Sequence, residues 1–288
     1  MSSSFSNAQI SSLDQYGKGV LLQENYLVKK GEFKFEVSRL NQKQLEAFNS
    51  FSIPNSEVEA YGNRPNIVRL PPIVSVKDGI VYEGHVDSVG KFQHGVGTQQ
   101  WKNGAYYRGL WSQGIRHGKG LFVSPEGDLQ VGMWDMGSLT GYGRKIWKDG
   151  DEYTGKFSNG KEEDPKGKKK WNNGDEYTGA FSQGQFTGKG RLEKDHGETI
   201  YEGEFLNGLY HGKGTFVNAE GSYKGDWELG QRNGHGIFTP KIPTAENPVY
   251  DGEWSLDQRH GNGKISYPVQ VTVTKTVEGC WQNGKRIS

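Results

Sequence analysis

Histidine is the residue in this chain with the clearest chemical potential, because imidazole binds metals and transfers protons near neutral pH. It recurs in the short pattern His-Gly-x-Gly, at His94, His117, His211 and His260. If successive copies form successive hairpins, equivalent histidines lie roughly 10 Å apart, which is two strand spacings. A metal ion holds its ligands at about 2 Å. The spacing therefore favours a structural role, in which each histidine caps a turn or pairs with a backbone carbonyl, over a shared metal site.

The stretch Gly208–Thr215 (GLYHGKGT) has some features of a phosphate-binding loop. Such a loop needs four residues between its glycines and a Ser or Thr directly after its lysine. Here three residues separate Gly208 from Gly212, and another glycine follows the lysine. The sequence also contains no defensible Ser-His-Asp or Cys-His pairing. We therefore predict no catalytic residue, metal, cofactor or small-molecule substrate, and we do not expect the chain to be an enzyme.

One basic cluster lies beside Trp171 and consists of Lys166, Lys168, Lys169 and Lys170. Such a cluster can bind acidic lipid headgroups or an acidic protein, with about 1 kcal/mol for each basic residue near a membrane. The alternative is a solvated insertion whose charge is partly cancelled by the acidic residues 162–164. The small size of the cluster favours the solvated insertion. Binding to an acidic partner or phospholipid is the weaker hypothesis.

These residues belong to a repeated unit, seen most clearly in Tyr201–Gly214 (YEGEFLNGLYHGKG). Tyr201, Gly203 and Phe205 are two residues apart, so on a β-strand they share one face. The glycine leaves a notch between two aromatic rings. An Asn-Gly dipeptide suited to a tight hairpin follows, and His-Gly-x-Gly then opens the return strand. Each unit is predicted to form one β-hairpin.

Nine copies of the unit follow one another after residue 77. Aligned on their first position, they begin at Tyr82, Tyr107, Gln130, Tyr153, Tyr177, Tyr201, Tyr223, Tyr250 and Val277. A period of this length, with two strands in each copy, is typical of a solenoid. Four residues after the first position, all but one copy have an aromatic residue: Trp111, Trp134, Phe157, Phe181, Phe205, Trp227, Trp254 and Trp281. Rings left uncovered in such a row would form an apolar patch, so we predict this row as a candidate partner-binding surface.

The predicted fold is all-β, an elongated single-layer antiparallel β-solenoid of repeated hairpins. Residues 1–12 are expected to be a disordered Ser-rich tail. Residues 13–77 form an N-terminal region with a degenerate copy over 13–37, a short helix over Asn41–Phe51, and an extended, irregular Pro-containing connector over 52–76. Residues 78–288 form the array, which has eight repeats and a terminal half-repeat.

The pattern Tyr-x-Gly-x-Trp/Phe-x-x-Gly-x-x-His-Gly-x-Gly, recurring over 78–284, resembles the MORN (membrane occupation and recognition nexus) repeat family. The resemblance implies a solenoid of hairpins that serves as a scaffold or assembly module. Within the family, it implies a radial-spoke-head-like or related cytoskeletal member. Two copies depart from the pattern. The third has Gln130 in place of Tyr, and the fourth has DPKG at 164–167 in place of His-Gly-x-Gly, where we expect a local bulge or bend.

Composition narrows the range of binding partners and cellular locations that we expect for this protein. The net charge is +1, which does not indicate nucleic-acid binding. The single cysteine, Cys280, fits a reducing compartment. No apolar run approaches the roughly 18 residues of a membrane span, and the N-terminus has no visible targeting signal. We therefore expect a cytoplasmic, cytoskeletal location, with the ciliary or flagellar axoneme as the specific hypothesis.

The expected function is that of a non-catalytic structural scaffold that binds other proteins of a large assembly, a second MORN protein among them. A ciliary axoneme component of radial-spoke type is the leading hypothesis, and it depends on the family resemblance. Two alternatives stay open. One is a peripheral membrane tether that binds acidic phospholipids, and the other is a regulatory subunit of an enzyme.

Overall fold

The fold was analysed on a computed structural model, which describes residues 35, 37–62, 67–75, 80–87, 92–270 and 273–288. The predicted tail at 1–12 and nearly all of the predicted degenerate copy at 13–37 lie outside the described residues. The chain divides into two compact units, residues 1–161 and 162–288.

The described residues of the first unit form two short helices and eight complete strands. The helices are α1 (Gln42–Ser50) and α2 (Asn55–Gly62), and Val37–Arg39 forms a 3₁₀ turn before them. The strands are β1 (Ile67–Ser75), β2 (Ile80–Asp87), β3 (Gln93–Gln100), β4 (Tyr106–Ser112), β5 (Ile115–Val123), β6 (Leu129–Asp135), β7 (Ser138–Ile146) and β8 (Glu152–Ser158). The two-residue strand β9 (Lys161–Glu162) spans the boundary between the units.

The second unit continues with strands and one 3₁₀ turn, Asp195–Gly197. Its strands are β10 (Asp164–Lys170), β11 (Glu176–Ser182), β12 (Gln185–Lys194), β13 (Thr199–Leu206), β14 (Leu209–Asn218), β15 (Gly221–Glu228), β16 (Gln231–Pro240), β17 (Val249–Ser255), β18 (Gln258–Gln270), β19 (Val273–Gln282) and β20 (Lys285–Arg286). Within each unit, successive strands pair antiparallel in chain order. The predicted all-β meander of hairpins is confirmed.

The hairpins close through two-residue turns in which both residues have positive φ. In the β13–β14 turn, for example, Asn207 has φ 51° and Gly208 has φ 82°. This is the geometry of a type I′ turn, which matches the twist of the flanking strands. The second turn residue also joins neighbouring hairpins: the Gly208 N–H donates to the Phe186 carbonyl at 2.9 Å, and the Gly230 N–H donates to the Tyr210 carbonyl at 2.8 Å. Each turn is thereby bonded to the hairpin before it.

A second irregularity lies in the return strand of each hairpin. Gly203 pairs with Gly214, but Glu204 pairs with His211, so the register shifts between the two pairs. Two residues, Gly212 and Lys213, are therefore left over on the return strand, and Gly212 has φ 55°. A β-bulge with positive φ at one residue selects glycine there. The first glycine of His-Gly-x-Gly is thus required by the bulge.

Helix α1 covers part of the sheet in the first unit and confirms the helix predicted over Asn41–Phe51. The Asn41 side chain caps it by accepting from the Gln44 N–H at 2.9 Å, and the Gln44 side chain accepts from the Asn41 N–H at 3.0 Å. This is a reciprocal capping box. The core beneath the helix contains Ala47, Phe51, Tyr106, Leu121, Val123, Leu129 and Ile146. The sheet face opposite the repeat tyrosines is therefore apolar at this place.

The prediction that 52–76 is an irregular connector is wrong, because α2 and β1 both fall inside it. Pro54 begins α2 instead of preventing it: the N–H groups of Glu57 and Val58 donate to its carbonyl at 2.9 and 3.1 Å. Proline is tolerated at a helix start, where its missing N–H has no intrahelical partner. Prolines 71 and 72 lie at the register shift between Leu70 and Ile73, where neither residue is paired with β2 and the N–H that proline lacks is not needed.

The departure predicted in the fourth copy is confirmed as a local irregularity. The β10–β11 register shifts between Asp164 and Gly167. Asp164 is buried, and its Oδ1 accepts from the Lys166 N–H at 2.8 Å. The carboxylate thus closes the local turn that the substituted sequence makes.

Candidate functional site

The repeat tyrosine fills the space that two paired glycines leave open. In β13 and β14, a Cβ added to Gly214 would lie 2.6–2.7 Å from Cζ and Cε2 of Tyr201, and a Cβ added to Gly203 would lie 2.5 Å from the Gly214 Cα. Real Cβ atoms do not approach other atoms so closely. The tyrosine ring therefore occupies the place of side chains that the glycines lack, and Tyr201 itself is fully buried.

The tyrosine hydroxyl satisfies a backbone carbonyl next to the bulge. Tyr201 Oη donates to the Glu204 carbonyl at 2.9 Å and lies 3.3 Å from the His211 carbonyl. The same bond to the third residue on is made by Tyr82, Tyr107, Tyr153, Tyr177, Tyr201, Tyr223 and Tyr250. A buried carbonyl without a donor is costly. Tyrosine is therefore the residue that both fills the glycine notch and caps the bulge.

Burial makes these hydroxyls poor proton donors to solvent. It raises the pKa of Tyr107 and of Tyr201 well above the ordinary value for tyrosine, because the ionised form loses its hydration. An adjacent arginine, Arg116, opposes the effect at Tyr107 without reversing it. The tyrosines thus remain neutral hydrogen-bond donors, as a structural role requires.

The aromatic row predicted as a partner-binding surface is buried. The exposed fraction is 7 % or less for every member: Trp111, Trp134, Phe157, Phe181, Phe205, Trp227, Trp254 and Trp281. Trp227 shows the packing, with T-shaped contacts to Tyr201 at 5.4 Å and to Tyr223 at 5.1 Å between ring centroids. Its Nε1 donates to the Gly214 carbonyl at 3.3 Å. The row forms the core between hairpins, and its binding to a partner stays a prediction.

A third row on the same face was missed in the sequence because its residue type varies from copy to copy. Its position comes immediately before the His position of His-Gly-x-Gly and is occupied by Arg116, Leu139, Phe186, Tyr210, Arg232 and Arg259, among others. The Arg116 guanidinium lies 4.4 Å from the ring centroids of both Phe122 and Trp134, and its Nη2 donates to the Gly137 carbonyl. The side chain at this position packs beside the aromatic rings, and it is an arginine in some copies and an aliphatic or aromatic residue in others.

Two of the four predicted histidines, His94 and His117, make contacts of the structural kind. The Nδ1 atom of His94 accepts from the Gln113 backbone N–H at 3.4 Å, in the next turn, and His117 Nδ1 lies 3.4 Å from Asp135. Across the described residues, no group of three or more His, Cys, Asp or Glu side chains is arranged to hold a metal ion. The four predicted histidines are not brought together.

The basic cluster is largely paired within the chain. Lys168 Nζ lies 2.5 Å and Lys170 Nζ 3.3 Å from the Glu176 carboxylate, while Lys169 Nζ lies 5.0 Å from the centre of the Trp171 ring. Burial raises the pKa of Glu176, but hydrogen bonds from the two lysines outweigh that effect and hold the pKa below its ordinary value. Within the cluster, only the side chain of Lys166 makes no contact of this kind among the described residues.

An open groove of about 690 Å³ lies at the end of the second unit, and its lining includes His235, Asp251, Lys264 and Cys280. Its central contacts join His235 Nε2 to Asp251 at 3.2 Å and Lys264 Nζ to the same carboxylate at 3.1 Å. The Asp251 carboxylate therefore has two nitrogen partners in this groove. In the parts of the chain that are described, no helix is long and apolar enough to cross a membrane.

These features define a class of protein: an antiparallel hairpin repeat protein whose tyrosines, glycines and tryptophans hold each copy to the next. The MORN repeat model matches residues 89–106, 107–129, 131–152, 177–195, 201–222, 223–239 and 250–270. The chain therefore contains seven MORN repeats. The copies that begin at Tyr153 and Val277 are outside the matched ranges, although both contribute strands with the same pattern.

Comparison with other proteins adds little to the repeat match. No curated protein matches the sequence. Among solved structures, one similar chain is the TCP10 domain of CPAP from Danio rerio in complex with a STIL peptide, at 10 % identity. The match covers 73 % of this chain and 98 % of that one, with a TM-score of 0.30. Similarity at this level supports no conclusion about fold or function.

Proposed function

We propose that the protein is a non-catalytic scaffold that docks other proteins within a cytoskeletal assembly. The observation that carries the proposal is that the polar groups of the repeat side chains are engaged in hydrogen bonds to the protein's own backbone. The repeat tyrosine hydroxyls, such as those of Tyr201 and Tyr223, donate to a carbonyl beside the bulge. The Nε1–H groups of Trp111, Trp134, Trp227 and Trp254 each donate to a glycine carbonyl. Groups engaged in this way serve to maintain a framework. A framework of repeated hairpins presents its exposed side chains at fixed intervals, which suits docking.

The specific location we propose is the cytoplasm and its cytoskeleton, and within it the ciliary or flagellar axoneme, as a component of radial-spoke type. Seven MORN repeats are compatible with either a protein-interaction or a membrane-binding module. Pairing of Lys168 and Lys170 with Glu176 lowers the positive charge that an acidic membrane would attract. Protein docking is therefore the better supported of the two roles.

The test is localisation and copurification of the tagged full chain in ciliated cells, with non-ciliated cells as the control. We expect the protein in detergent-extracted axonemes, and we expect structural proteins to copurify at fixed stoichiometry. Recovery in the membrane fraction, lost on detergent extraction, would contradict the scaffold role. A stoichiometric complex with one enzyme, whose activity changes on binding, would assign the chain as a regulatory subunit instead.

A further inference from the structure

Four exposed leucines lie on the turn edge of three consecutive hairpins in the second unit. Leu206 and Leu209 flank the β13–β14 turn, Leu229 lies in the β15–β16 turn, and Leu256 lies in the β17–β18 turn. Their exposed fractions are 39 %, 45 %, 61 % and 67 %, in that order. We call these four residues the turn ridge. Large apolar side chains gathered at one edge of a fold commonly mark an interaction site.

Two members of the ridge have a backbone conformation that leucine disfavours. Leu229 has φ 48° and Leu256 has φ 47°, in the left-handed region. Other hairpins of the second unit have an amide side chain at this turn position, as at Gln183, Asn207 and Asn283. Asparagine tolerates this region best among residues with a side chain, whereas a bulky apolar residue there is an outlier. Neither local conformation nor burial accounts for leucine at these two positions.

The turns of the ridge are neighbours in space as well as in sequence. The Gly230 N–H donates to the Tyr210 carbonyl at 2.8 Å, and the Asp257 N–H donates to the Arg232 carbonyl at 3.1 Å, so each turn is fastened to the hairpin before it. Successive turns are two strands apart, which is roughly 10 Å. Seven residues of an α-helix advance by about 10.5 Å. A helix with an apolar residue at every seventh position would meet the leucines of three successive turns.

The sheet face opposite the aromatic rings carries three glutamates near the turn ridge, and the described residues supply no cationic partner to any of them. Glu204, Glu228 and Glu253 lie on the three hairpins close to the leucines in sequence, and none has a Lys, Arg or His side chain at ion-pairing distance in the described residues. Asp226 on the same face does have a partner, Lys213 at 2.5 Å. Two of the three do accept hydrogen bonds from neutral groups, Glu228 from Asn233 Nδ2 and Glu253 from the Asn262 N–H at 3.3 Å. Carboxylates beside an apolar ridge that have no cationic partner among the described residues favour a partner with apolar residues bordered by positive charge.

We propose that the turn ridge binds an amphipathic helix of another protein whose apolar stripe is flanked by Lys or Arg. This proposal depends on the proposed docking function and names the surface that performs it. The leucines enter the apolar stripe of the helix, and the three glutamates face its basic border. The strained leucine backbone persists because binding selects for the side chain.

The experiment measures binding of a stapled helical peptide of about 18 residues, with Leu at every seventh position flanked by Lys. Fluorescence anisotropy compares the full wild-type chain with the double variant Leu229→Asn/Leu256→Asn. Asparagine is the residue that other hairpins use at this position, so the double variant is expected to fold. The matched control is Ile242→Asn, which removes an exposed aliphatic group (74 % exposed) from the loop between β16 and β17.

We expect the double variant to bind at least about tenfold more weakly and the control to bind like wild type. Glu228→Gln/Glu253→Gln should weaken binding and reduce its dependence on salt. Equal affinity of wild type and the double variant overturns the proposal. So does tighter binding of a peptide that has Glu in place of Lys.

Two further outcomes identify other occupants of the ridge. If wild type dimerises in sedimentation and the double variant does not, the occupant is a second copy of this chain. If wild type but not the double variant floats with neutral lipid vesicles, the occupant is a membrane. Either result overturns the helix proposal. A native partner that copurifies equally with wild type and the double variant places docking elsewhere and leaves the scaffold role intact.

Discussion

Interlocking of the tyrosine ring with the paired glycines makes a sharp prediction at Gly214. Replacement by alanine puts a Cβ within 2.7 Å of two atoms of the Tyr201 ring, so the ring must move. Overpacking of this kind costs about 1–3 kcal/mol. Movement of the ring also weakens the Tyr201 hydroxyl bonds to the Glu204 and His211 carbonyls, at about 1 kcal/mol each. We expect a loss of roughly 2–4 kcal/mol in the free energy of unfolding.

The matched control is Gly208→Ala in the adjacent turn. Gly208 has φ 82°, but an added Cβ would meet no atom within 4 Å. That variant should lose only the roughly 1–2 kcal/mol of a left-handed alanine. Urea unfolding followed by tryptophan fluorescence measures both variants. Hydrogen exchange at the amides of β13–β15 shows whether the loss is local, because repeat arrays can unfold in parts.

A double-mutant cycle tests the mechanism itself. If the Tyr201 ring is what Gly214→Ala displaces, the alanine should cost less in a Tyr201→Ala background, with a coupling energy of roughly 1–3 kcal/mol. Additive losses would refute the interlocking mechanism. So would a Gly214→Ala variant that is no less stable than Gly208→Ala.

Four further predictions follow from other parts of the structure. Gln44→Leu should destabilise the first unit by roughly 2–4 kcal/mol in urea unfolding. The buried carbonyls of Gly127 and Ile146 accept from Gln44 Nε2 at 2.8 and 3.0 Å, and the substitution leaves both without this donor. The control Gln42→Leu, on the exposed side of the helix, should be nearly neutral. Leu229→Asn should raise the free energy of unfolding by up to about 1 kcal/mol, since it relieves the left-handed leucine, and a loss of stability would show that the side chain packs usefully. Burial raises the pKa of Glu152, but hydrogen bonds from Arg144 outweigh that effect and hold the pKa below the ordinary value of 4.5. The stability that this pair contributes is therefore complete above pH 4.5 and is lost as pH falls through the lower pKa of the folded state. In thermal melts at different pH values, Glu152→Gln should reduce the fall in melting temperature at acid pH. In vesicle flotation with anionic lipid, wild type should remain unbound, and neutralising Lys166, Lys168, Lys169 and Lys170 should change nothing; salt-sensitive flotation that the neutralised variant loses would restore the membrane-tether hypothesis.

The repeat was predictable because its main determinants have fixed spacings. A period of two residues places Tyr201, Gly203 and Phe205 on one face, and Asn207-Gly208 indicates its turn by composition alone. The apolar spacing of Leu45 and Phe48 likewise predicted α1, and Asn41 does cap it. These are local rules, and the structure follows them.

Other features depend on the register between strands and on contacts across strands, and local sequence rules do not determine these. The bulge at Gly212 is visible only once the register of β13 and β14 is known. Turns such as Leu229-Gly230 lack the usual first residue of a type I′ turn, so composition did not reveal them. The stacking of Arg116 on Phe122 and Trp134 joins two strands, β5 and β6, that belong to different copies, and no spacing within one copy predicts it.

The candidate site was only partly accessible from sequence. The aromatic row was correctly recognised as a row, but whether its rings face solvent depends on the tyrosines and on the variable third row that covers them. The charge of the lysine cluster was expected to be offset by residues 162–164. The acid that pairs with Lys168 and Lys170 is instead Glu176, on the neighbouring strand. Cross-strand pairing therefore decided which positive charges remain available.

The bond from each turn N–H to the preceding hairpin has a consequence for how such a chain can change over time. In the bonds from Gly208 to Phe186 and from Gly230 to Tyr210, both partners are backbone atoms. The seam between copies at this edge therefore does not depend on which side chains the two copies carry. Duplication or loss of a whole copy would preserve the seam, and side chains at the turn would be free to diverge. Length and surface can then evolve separately, the first by recombination and the second by point substitution.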